Sequence, residues 1–241
     1  MKSILKFALV ESMKSHKSVR ETEEFITVSD IASPELKDVI EIYYEAFPEN
    51  EREPPDKIKR RIMDSEYDLL VVKRNNTVVG FSLLYVFERL FFGLFHYMAV
   101  RKECRNLGIG SRLFCKTYEH FEKATPSGKF LLLEVEDPAY GTPSERSLRL
   151  RRQKWYERLG ASTIVNFEYF LPPMSADYPT EMLLMVYAGH DQIDVNEDVL
   201  RRMLIAVYEE VYGRRADDPY LRRMLKSLGT NSRIQLSRRN K

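Results

Sequence analysis

The chain has 241 residues, a mass of 28.4 kDa and 38 basic against 36 acidic residues, so its net charge is only +2. Its hydrophobic content of 44% supports a packed core and excludes global disorder, and 10 glycines and 11 prolines exclude a collagen-like or low-complexity chain. The length fits one large domain, or one domain with a helical appendage. The near-neutral charge gives no bulk attraction to nucleic acid. Two cysteines cannot form a disulfide scaffold, so we expect a cytoplasmic protein.

The N-terminal stretch Met1–Val10 superficially resembles a signal peptide. Its apolar residues are interrupted by Lys6, and no small-residue cleavage site follows. No apolar run in the sequence reaches the ~18–20 residues that a membrane span needs. We therefore predict an N-terminal arm or short helix over residues 1–20, and no membrane partner.

Residues 21–190 are predicted to form one domain in the order β-α-α-β-β-β-α-β-α-β-β. The predicted strands are Phe25–Val28, Asp68–Lys73, Thr77–Phe87, Phe91–Val100, Lys129–Val135, Ser162–Phe170 and Glu181–Tyr187. The predicted helices are Ser33–Phe47, Pro55–Met63, Gly108–Lys123 and Ser144–Leu159, the last closed by Gly160. The spacing of apolar residues distinguishes the predicted helices from the predicted strands. The pair Asn75-Asn76 predicts a hairpin between the second and third strands. The strands on either side of the third helix should lie parallel through a right-handed crossover.

After His190 the composition changes, and residues 191–241 are predicted to be a C-terminal helical extension. Its first helix, over residues 195–212, carries an apolar stripe made of Leu200, Met203, Leu204, Val207, Tyr208 and Val211. A second amphipathic helix over residues 217–228 completes a hairpin, which we predict to dock on the chain's own sheet or helices, with dimerisation as the alternative. Arginine pairs here alternate with acids, which favours solvated faces over nucleic acid. The basic tail Thr230–Lys241 is predicted to be flexible.

The segment Tyr97–Arg112 combines a strand end, a loop and a helix start. Gly108 and Gly110 open the helix and, because they lack a Cβ atom, let a ligand approach the backbone closely. The free N–H groups of a helix N-terminus suit a phosphate or pyrophosphate, and Arg105 and Arg112 offer charge-assisted bonds. An ordinary β–α turn with two glycines is the alternative. The third glycine of a dinucleotide-binding loop and the Gly-Lys-Ser/Thr ending of a Walker loop are both missing.

Two short motifs resemble the GNAT superfamily of N-acetyltransferases. Arg105-x-x-Gly108-x-Gly110, after an apolar strand end, resembles the acyl-CoA signature of that family. Tyr156-x-x-x-Gly160 resembles the family's motif on the helix before the sixth strand. The order of elements predicted before the C-terminal extension is also similar. The resemblance implies an α+β fold with a mixed, mostly antiparallel twisted sheet of about six or seven strands flanked by helices, to which this chain adds its helical hairpin.

The same resemblance implies acetyl-CoA as co-substrate, with no metal ion. Backbone groups of Met98, Ala99 and Val100 would pair with its pantetheine arm. Its pyrophosphate would be held by the residues Arg105, Asn106, Leu107, Gly108, Ile109, Gly110, Ser111 and Arg112. Tyr156 would lie near the thioester sulfur and act as general acid. Many relatives carry an Asn seven residues earlier, where this chain has Arg149, so the contacts of that Asn are not transferred.

Three residues are candidate general bases for deprotonating an amine. Some relatives have a catalytic Glu at the position of Leu94, so that group is missing here. His96 lies two residues later on the same predicted strand face and has a near-neutral reference pKa, with a structural, half-buried histidine as the alternative. Glu134 and Glu136 share a face at the end of the next strand, where they can act as bases or attract a cation. Salt bridges from these glutamates to arginines of the next helix are the alternative.

The predicted function is N-acetyltransferase, moving an acetyl group directly from acetyl-CoA to an amine without a covalent intermediate. The loop Phe47–Glu53 carries three glutamates that favour a cationic acceptor, with a merely solvated loop as the alternative. The expected acceptor is an amine-bearing small molecule or peptide, and the expected assembly is a monomer or homodimer. The alternative function is a catalytically degenerate domain that binds acyl-CoA as a sensor or scaffold. The retained Tyr156 favours the enzyme, because such a domain needs no acid at the sulfur.

Overall fold

A computed structural model describes residues 22–47, 52–126, 130–173, 180–189, 195–228 and 234–237. The strands are β1 (Glu23–Val28), β2 (Tyr67–Arg74), β3 (Thr77–Phe87), β4 (Phe92–Val100), β5 (Phe130–Glu136), β6 (Ser162–Thr163), β7 (Tyr169–Leu171) and β8 (Thr180–Tyr187). The α-helices are α1 (Glu35–Ala46), α2 (Pro55–Met63), α3 (Ile109–Ala124), α4 (Pro143–Leu159), α5 (Glu197–Ala206) and α6 (Pro219–Ser227). The predicted N-terminal arm over residues 1–20 lies outside the described residues.

The helix α4 shows how local sequence sets the element boundaries. Thr142 accepts a hydrogen bond from the backbone N–H of Glu145, whose carboxylate accepts one from the N–H of Thr142. This reciprocal capping box and Pro143 in the first turn fix the start of the helix. Gly160 ends it with a φ of 103°, a left-handed conformation that glycine adopts without strain. The predicted glycine cap is confirmed.

The strands form one sheet in the order β1-β2-β3-β4-β5-β8-β6, with β7 also paired to β8. Only β4 and β5 are parallel among the described pairs, and they flank α3 as predicted. One face of the sheet packs against α1, α2 and the C-terminal helices, and the other against α3 and α4. The predicted mixed, mostly antiparallel α+β fold is therefore confirmed.

The central strands β4 and β5 separate half-way along their length. Their pairing ends at Phe95 and Leu133. Beyond these residues β3 still pairs with β4 as far as Val100, and β8 still pairs with β5 as far as Glu136. In the described structure the two facing edges therefore have no strand partner, and a cleft opens between them. The backbone N–H and C=O groups along these edges are available to a ligand.

The predicted single strand Ser162–Phe170 is wrong as one element. The segment contains two short strands, β6 and β7, which pair with different parts of β8. Asn166 lies in the connection between them with a φ of 57°, a left-handed conformation that interrupts an extended backbone. The apolar pattern alone did not indicate this turn.

The C-terminal helices dock on the sheet. The helix α5 continues into a π-helical turn, Val207–Val211, and its apolar stripe is buried in the same core as α1 and β2. The hydroxyl of Tyr208 donates to the carbonyl of Phe170 at 2.5 Å, and Arg61 of α2 donates to the carbonyl of Val211 at 2.9 Å. The predicted docking of this extension on the chain's own sheet is confirmed.

The prediction of a flexible tail over Thr230–Lys241 is wrong for its described part. Residues 234–237 run antiparallel to residues 163–165, and the N–H of Ser237 donates to the carbonyl of Thr163 at 2.8 Å. The physical reason is the outer edge of β6, whose backbone groups need partners. The polar composition of the tail did not indicate this pairing, because backbone groups make it.

Candidate active site

The turn between β4 and α3 surrounds a small cavity. A 3-10 turn, Lys102–Cys104, follows the strand, and Asn106 and Gly108 take left-handed φ angles of 64° and 75°. These two residues redirect the chain so that α3 begins at Ile109 with free N–H groups at its end. The cavity measures about 180 Å³ and is lined by Val100, Cys104, Arg105, Asn106, Gly108, Ile109, Gly110, Ser111 and Trp155.

Gly110 is not required by the packing of the chain itself. A Cβ atom there would lie 3.6 Å from the ring of Trp155 and 3.8 Å from the side chain of Val100, which are ordinary contact distances. The glycine thus keeps space open toward the cavity. Among its neighbours, the Ile109 side chain is buried in the core and the Leu107 side chain is 51% exposed. Ile109 can therefore offer only backbone groups to a ligand.

The two arginines of the motif have partners within the chain. Arg112 forms a bidentate ion pair with Glu23 of β1, with both N···O distances 2.6 Å. Arg105 donates its Nε to the carbonyl of Val100 at 2.9 Å and lies 4.0 Å from Glu45. Arg105 lines both this cavity and the cleft, whereas Arg112 lines neither. A phosphate at the turn is thus better placed for Arg105.

The main cavity occupies the gap between β4 and β5 and measures about 330 Å³. Its lining residues are Ala46, Phe47, Phe95, His96, Met98, Ala99, Val100, Arg105, Glu134, Arg152, Trp155 and Tyr156. The structure thus brings together three of the predicted catalytic residues, His96, Glu134 and Tyr156, beside the open edge of β4. They come from two strands and a helix that are far apart in sequence.

Tyr156 projects from α4 into this cavity and is packed against Phe114 and Trp155. Burial raises the pKa of its phenol to about 12, partly offset by the positive charge of Arg152. The group is therefore protonated at neutral pH. Its hydroxyl makes no hydrogen bond to another described residue, which leaves the proton available to a ligand in the cavity.

Glu134 is a half-buried carboxylate held by two tyrosines. Tyr169 of β7 donates to one oxygen, and Tyr212 donates to the other at 2.5 Å. Burial raises the pKa of the Glu134 carboxyl, although these two hydrogen bonds and the charge of Arg61 work in the opposite direction. A second cavity of about 90 Å³ reaches the same carboxylate and is lined by Phe47, His96, Tyr97, Glu134, Glu136, Arg152, Leu171, Thr180, Met182 and Tyr212.

Glu136 faces the second cavity but is engaged in ion pairs with α4. Arg152 contacts one of its carboxylate oxygens, and Arg149 lies 3.9 Å from the other. Arg149 also donates to the carbonyl of Tyr140 at 3.2 Å and so links the β5–α4 loop to the helix. The salt-bridge interpretation of Glu136 therefore matches the geometry. Of the two glutamates, Glu134 is the one that has no cationic hydrogen-bond partner among the described residues.

His96 lies at a bulge in β4 and contacts three tyrosines. Leu83 and Leu84 of β3 pair with Tyr97 and Phe95, so His96 is the extra residue on its strand. Its ring stacks on Tyr97 with centroids 4.3 Å apart, and its Nδ1 lies 3.3 Å from the hydroxyl of Tyr67. Burial is the main cause that lowers the pKa of His96 to about 3, and the nearby positive charge of Arg61 is the second.

Sequence comparison places the chain in a family. The sequence model of the acetyltransferase (GNAT) family matches residues 36–160, just over half of the chain. The chain belongs to the GNAT acetyltransferase family. The matched region runs from α1 through Gly160, and so contains the turn, the cleft and both of the motifs on which the resemblance rests. No curated protein sequence matches this chain.

Solved GNAT structures share the fold. An acetyltransferase assigned to the GNAT family from Bacteroides thetaiotaomicron has a TM-score of 0.63 at 22% identity, covering 80% of this chain and 99% of its own. An aminoglycoside 6'-N-acetyltransferase complexed with coenzyme A has a TM-score of 0.53 at 18% identity, covering 70% and 99%. A Salmonella typhimurium protein solved with acetyl-CoA has a TM-score of 0.52 at 13% identity, covering 73% and 98%. At these identities the likeness concerns the GNAT fold.

The acidic loop proposed to attract the acceptor has a different role at its described end. Glu53 is 2% exposed and accepts hydrogen bonds from Arg61 at 2.5 and 2.6 Å, with Lys57 at 2.8 Å. It is committed to α2 and does not face a ligand. The other two glutamates of the loop, Glu49 and Glu51, lie outside the described residues.

Sequence analysis of this GNAT chain missed the tyrosines that hold Glu134. Tyr212 lies one residue beyond the predicted apolar stripe of the first C-terminal helix, and Tyr169 lies inside a segment predicted as one strand. Neither belongs to a local motif, because their partner is distant in sequence. Within the described residues, no helix is long and apolar enough to cross a membrane, and no group of three or more His, Cys, Asp or Glu is placed to hold a metal ion.

Proposed function

We propose that this GNAT protein transfers the acetyl group of acetyl-CoA directly to the amine of an acceptor. The observation that carries the proposal is the meeting of the two cavities of the cleft. They share Phe47, His96, Glu134 and Arg152, so a ligand beside Tyr156 in the main cavity and a ligand in the second cavity would touch at Glu134. One cavity has a phenol proton and the other a carboxylate.

The residues around the main cavity fit acetyl-CoA, which supplies the acetyl thioester. The open edge of β4 offers backbone groups from Met98 to Val100 for the amide groups of a pantetheine arm. The helix N-terminus beyond Gly108, with the space kept open by Gly110 and the side chain of Arg105, suits the pyrophosphate. GNAT structures solved with coenzyme A or acetyl-CoA support this assignment.

Glu134 is proposed to bind and deprotonate the acceptor amine. An alkylamine has a pKa of ~10.4, so it arrives as an ammonium ion and must lose a proton before it can attack a thioester. Glu134 offers the negative charge to bind that ion, and its raised pKa makes it a better proton acceptor than a solvated carboxylate. Glu134 takes one proton from the ammonium ion before attack and releases it to solvent. Once the N–C bond has formed, the second proton that the nitrogen must lose passes to the same carboxylate.

Tyr156 is proposed to protonate the leaving sulfur. As the C–S bond breaks, the thiolate takes the phenol proton, and the phenolate recovers a proton from solvent before the next turnover. Its position in the main cavity and its raised pKa support this role, because a phenol that is protonated at neutral pH is a competent acid.

The second cavity supports a primary alkylammonium group as the part of the acceptor that reacts. Its lining combines two carboxylates, Glu134 and Glu136, with the rings of Phe47, Tyr97, His96 and Tyr212. The positive charge of Arg152, which also lines it, is paired with Glu136. Aromatic faces attract cations, and a carboxylate beyond them supplies the counter-charge. A volume of about 90 Å³ favours the slender end of an unhindered alkylamine over a bulky group. Small molecules and peptides with an unhindered primary amine both meet this condition.

The test is an acceptor panel that follows the release of free coenzyme A. Alkyl diamines, polyamines, amino acids, aminoglycosides and lysine peptides are each compared with the matching alcohol or capped amine. We expect release with unhindered primary amines and none with the alcohols. Glu134→Gln should lower kcat by ~10²–10⁴-fold. Glu210→Gln is the matched control, because Glu210 also accepts a tyrosine hydroxyl, that of Tyr85 at 3.1 Å, but lies outside both cavities.

Two results would contradict the proposal. Tight binding of acetyl-CoA without release of coenzyme A in the presence of any amine would favour the acyl-CoA sensor. A Glu134→Gln variant with wild-type turnover would leave the enzyme but remove Glu134 from its mechanism.

A further inference from the structure

A row of polar side chains connects α2 to the cleft: Arg61 and Tyr67 are buried, and His96 is half-buried. Arg61 donates its Nη1 to the hydroxyl of Tyr67, and this hydroxyl lies 3.3 Å from Nδ1 of His96. The remaining donors of Arg61 are held by Glu53 and by the carbonyl of Val211. The guanidinium is therefore fixed from three sides, with one N–H aimed at the phenol.

Donor and acceptor roles along this row follow from the chemistry of its first member. A guanidinium has five N–H donors and no acceptor, so the oxygen of Tyr67 must accept from Arg61. The phenol then has one proton to give, and Nδ1 of His96 is the acceptor within reach among the described residues. The reverse arrangement, with Nδ1–H donating to Tyr67, would leave a buried phenol proton without an acceptor. In the neutral ring, the proton therefore lies on Nε2 of His96.

The surroundings of His96 also keep its ring neutral. Glu134 and Arg152 line both cavities together with His96. The other charged and titratable groups near it are Glu53, Lys57, Arg61, Tyr67, Tyr97 and Tyr212. Burial and the charges of Arg61 and Lys57 disfavour an imidazolium, and together they outweigh the attraction of Glu53. A histidine in this state cannot accept a proton at Nε2, because that nitrogen already carries one.

The ring of His96 lies at the cleft. Among the described residues, none hydrogen-bonds to Nε2 of His96, and the ring lines both the main cavity and the second cavity. The ring is immobilised by stacking on Tyr97 and by the edge contact of Tyr212, with centroids 6.1 Å apart. An oriented N–H donor in a buried site is suited to stabilise an oxygen that gains negative charge.

We infer that His96 is a fixed N–H donor to the thioester carbonyl oxygen, held in its Nε2–H tautomer by Tyr67 and Arg61, and is not the general base. The role in transfer rests on the proposed function, whereas the tautomer belongs to the resting protein. Tyr67 acts as a positioning residue, because it touches His96 and not the substrate. Glu134 is then left as the proton acceptor of the cleft.

The tautomer is measured by ¹⁵N–¹H correlation of the histidine rings in the full chain. His96 should show a bare Nδ1 and a protonated Nε2 that do not change from about pH 5 to about pH 8. His120 is the internal control: its Nε2 lies 3.1 Å from Asp68, and this hydrogen bond raises its pKa, so it should titrate. Tyr67→Phe removes one hydroxyl and should give a mixture of His96 tautomers, with folding checked by thermal melting.

Kinetics test the role of the donor. Glutamine places an amide N–H near the position of Nε2 and cannot act as a base, whereas leucine offers neither. His96→Gln should retain more turnover than His96→Leu, and His96→Leu should lower kcat by ~10–100-fold without moving the acidic limb of the pH profile. An effect of His96→Leu on the KM of the acceptor alone would overturn the assignment to the thioester oxygen.

Two further outcomes overturn the inference. A proton on Nδ1 of His96 would refute the tautomer, and loss of the acidic limb in His96→Gln would make His96 the base. If the protein released no coenzyme A at all, the role of His96 in transfer would be refuted together with the proposed function. The tautomer measurement would still decide the hydrogen-bond row independently.

Discussion

The two sides of the cleft are built in different ways. The side proposed for acetyl-CoA is one continuous segment, residues 98–112, and presents mainly backbone groups around Gly108 and Gly110. The side proposed for the acceptor is built from side chains of separate elements, among them Phe47, Glu134 and Tyr212. A backbone site tolerates many sequences, whereas a side-chain site changes with each substitution. We therefore expect the binding of acetyl-CoA to depend on the first side and the choice of acceptor on the second.

The C-terminal extension belongs to the second side. Tyr212 follows the π-helical turn and brings its hydroxyl to Glu134, 78 positions away in sequence. Arg61 binds the carbonyl of the preceding residue, so α2 and the extension are joined at the same place. The extension therefore covers the sheet and lines the second cavity, which is the cavity proposed for the acceptor.

After the loss of Glu134, the largest effect is expected at the phenol of the main cavity. Tyr156→Phe keeps the ring packing and removes the acidic proton, so kcat should fall by ~10–1000-fold while the affinity for acetyl-CoA stays close to that of the wild type. Stopped-flow measurement of coenzyme A release and calorimetry on the same samples check the two halves of this expectation. Unchanged turnover would remove Tyr156 from the mechanism.

A charge introduced at Gly110 tests the side of the cleft proposed for acetyl-CoA. Gly110→Asp should weaken the binding of acetyl-CoA at least tenfold, about 1.4 kcal/mol, because a carboxylate would face the pyrophosphate. Gly110→Ala is the matched control, since a Cβ atom there makes ordinary contacts and should preserve the fold. Calorimetry gives both affinities. Equal affinities for the Asp and Ala variants would mean that the phosphates bind elsewhere.

Removal of the Tyr212 hydroxyl tests the side of the cleft proposed for the acceptor. Its hydrogen bond favours the charged form of Glu134, so Tyr212→Phe should raise the pKa of that carboxyl further. Because the base works when deprotonated, the acidic limb of kcat/KM should move upward by about one pH unit. Tyr208→Phe is the control, since its hydroxyl binds the carbonyl of Phe170 and not Glu134. If the acidic limb of kcat/KM lay at the same pH in both variants, Tyr212 would not influence the pKa of the base.

The smallest effect concerns the tail, which lies on neither side. Removing the residues after Leu228 deletes the backbone pairing of residues 234–237 with residues 163–165. The loss of a few such hydrogen bonds should lower the Tm by about 2–8 °C. The affinity for acetyl-CoA should be unchanged, because the turn after β4 is remote from β6. Calorimetric melting and binding on the truncated chain measure both quantities.

Features encoded by neighbouring residues were predictable from the sequence, whereas contacts between distant segments were not. The strands and helices from β1 to α4 were predictable because apolar spacing, the Asn75-Asn76 turn and the Gly160 cap are local signals. The turn around Gly108 was predictable for the same reason. Glu134 was identified as a candidate, but its two tyrosines were not, because only the folded sheet brings them to it.

Other misses have physical causes as well. The bulge at His96 and the left-handed Asn166 depend on backbone geometry that apolar patterns do not encode. Glu53 looked like an acceptor-binding acid because a sequence shows its charge but not its partner, and that partner, Arg61, lies eight positions further on in another element. The tail after α6 pairs through its backbone, which a polar composition cannot indicate.

The central claim is that Glu134 is the proton acceptor for an amine attacking the thioester. Its most direct test is the pH dependence of single-turnover acetyl transfer in the wild type, Glu134→Gln and Glu210→Gln. The raised pKa of Glu134 predicts that the wild-type rate falls with acid through an apparent pKa above the usual carboxyl range. The Glu210→Gln variant should keep that acidic limb, and Glu134→Gln should lose it and retain only a slow residual rate. The same acidic limb in Glu134→Gln would contradict the account and place the base elsewhere.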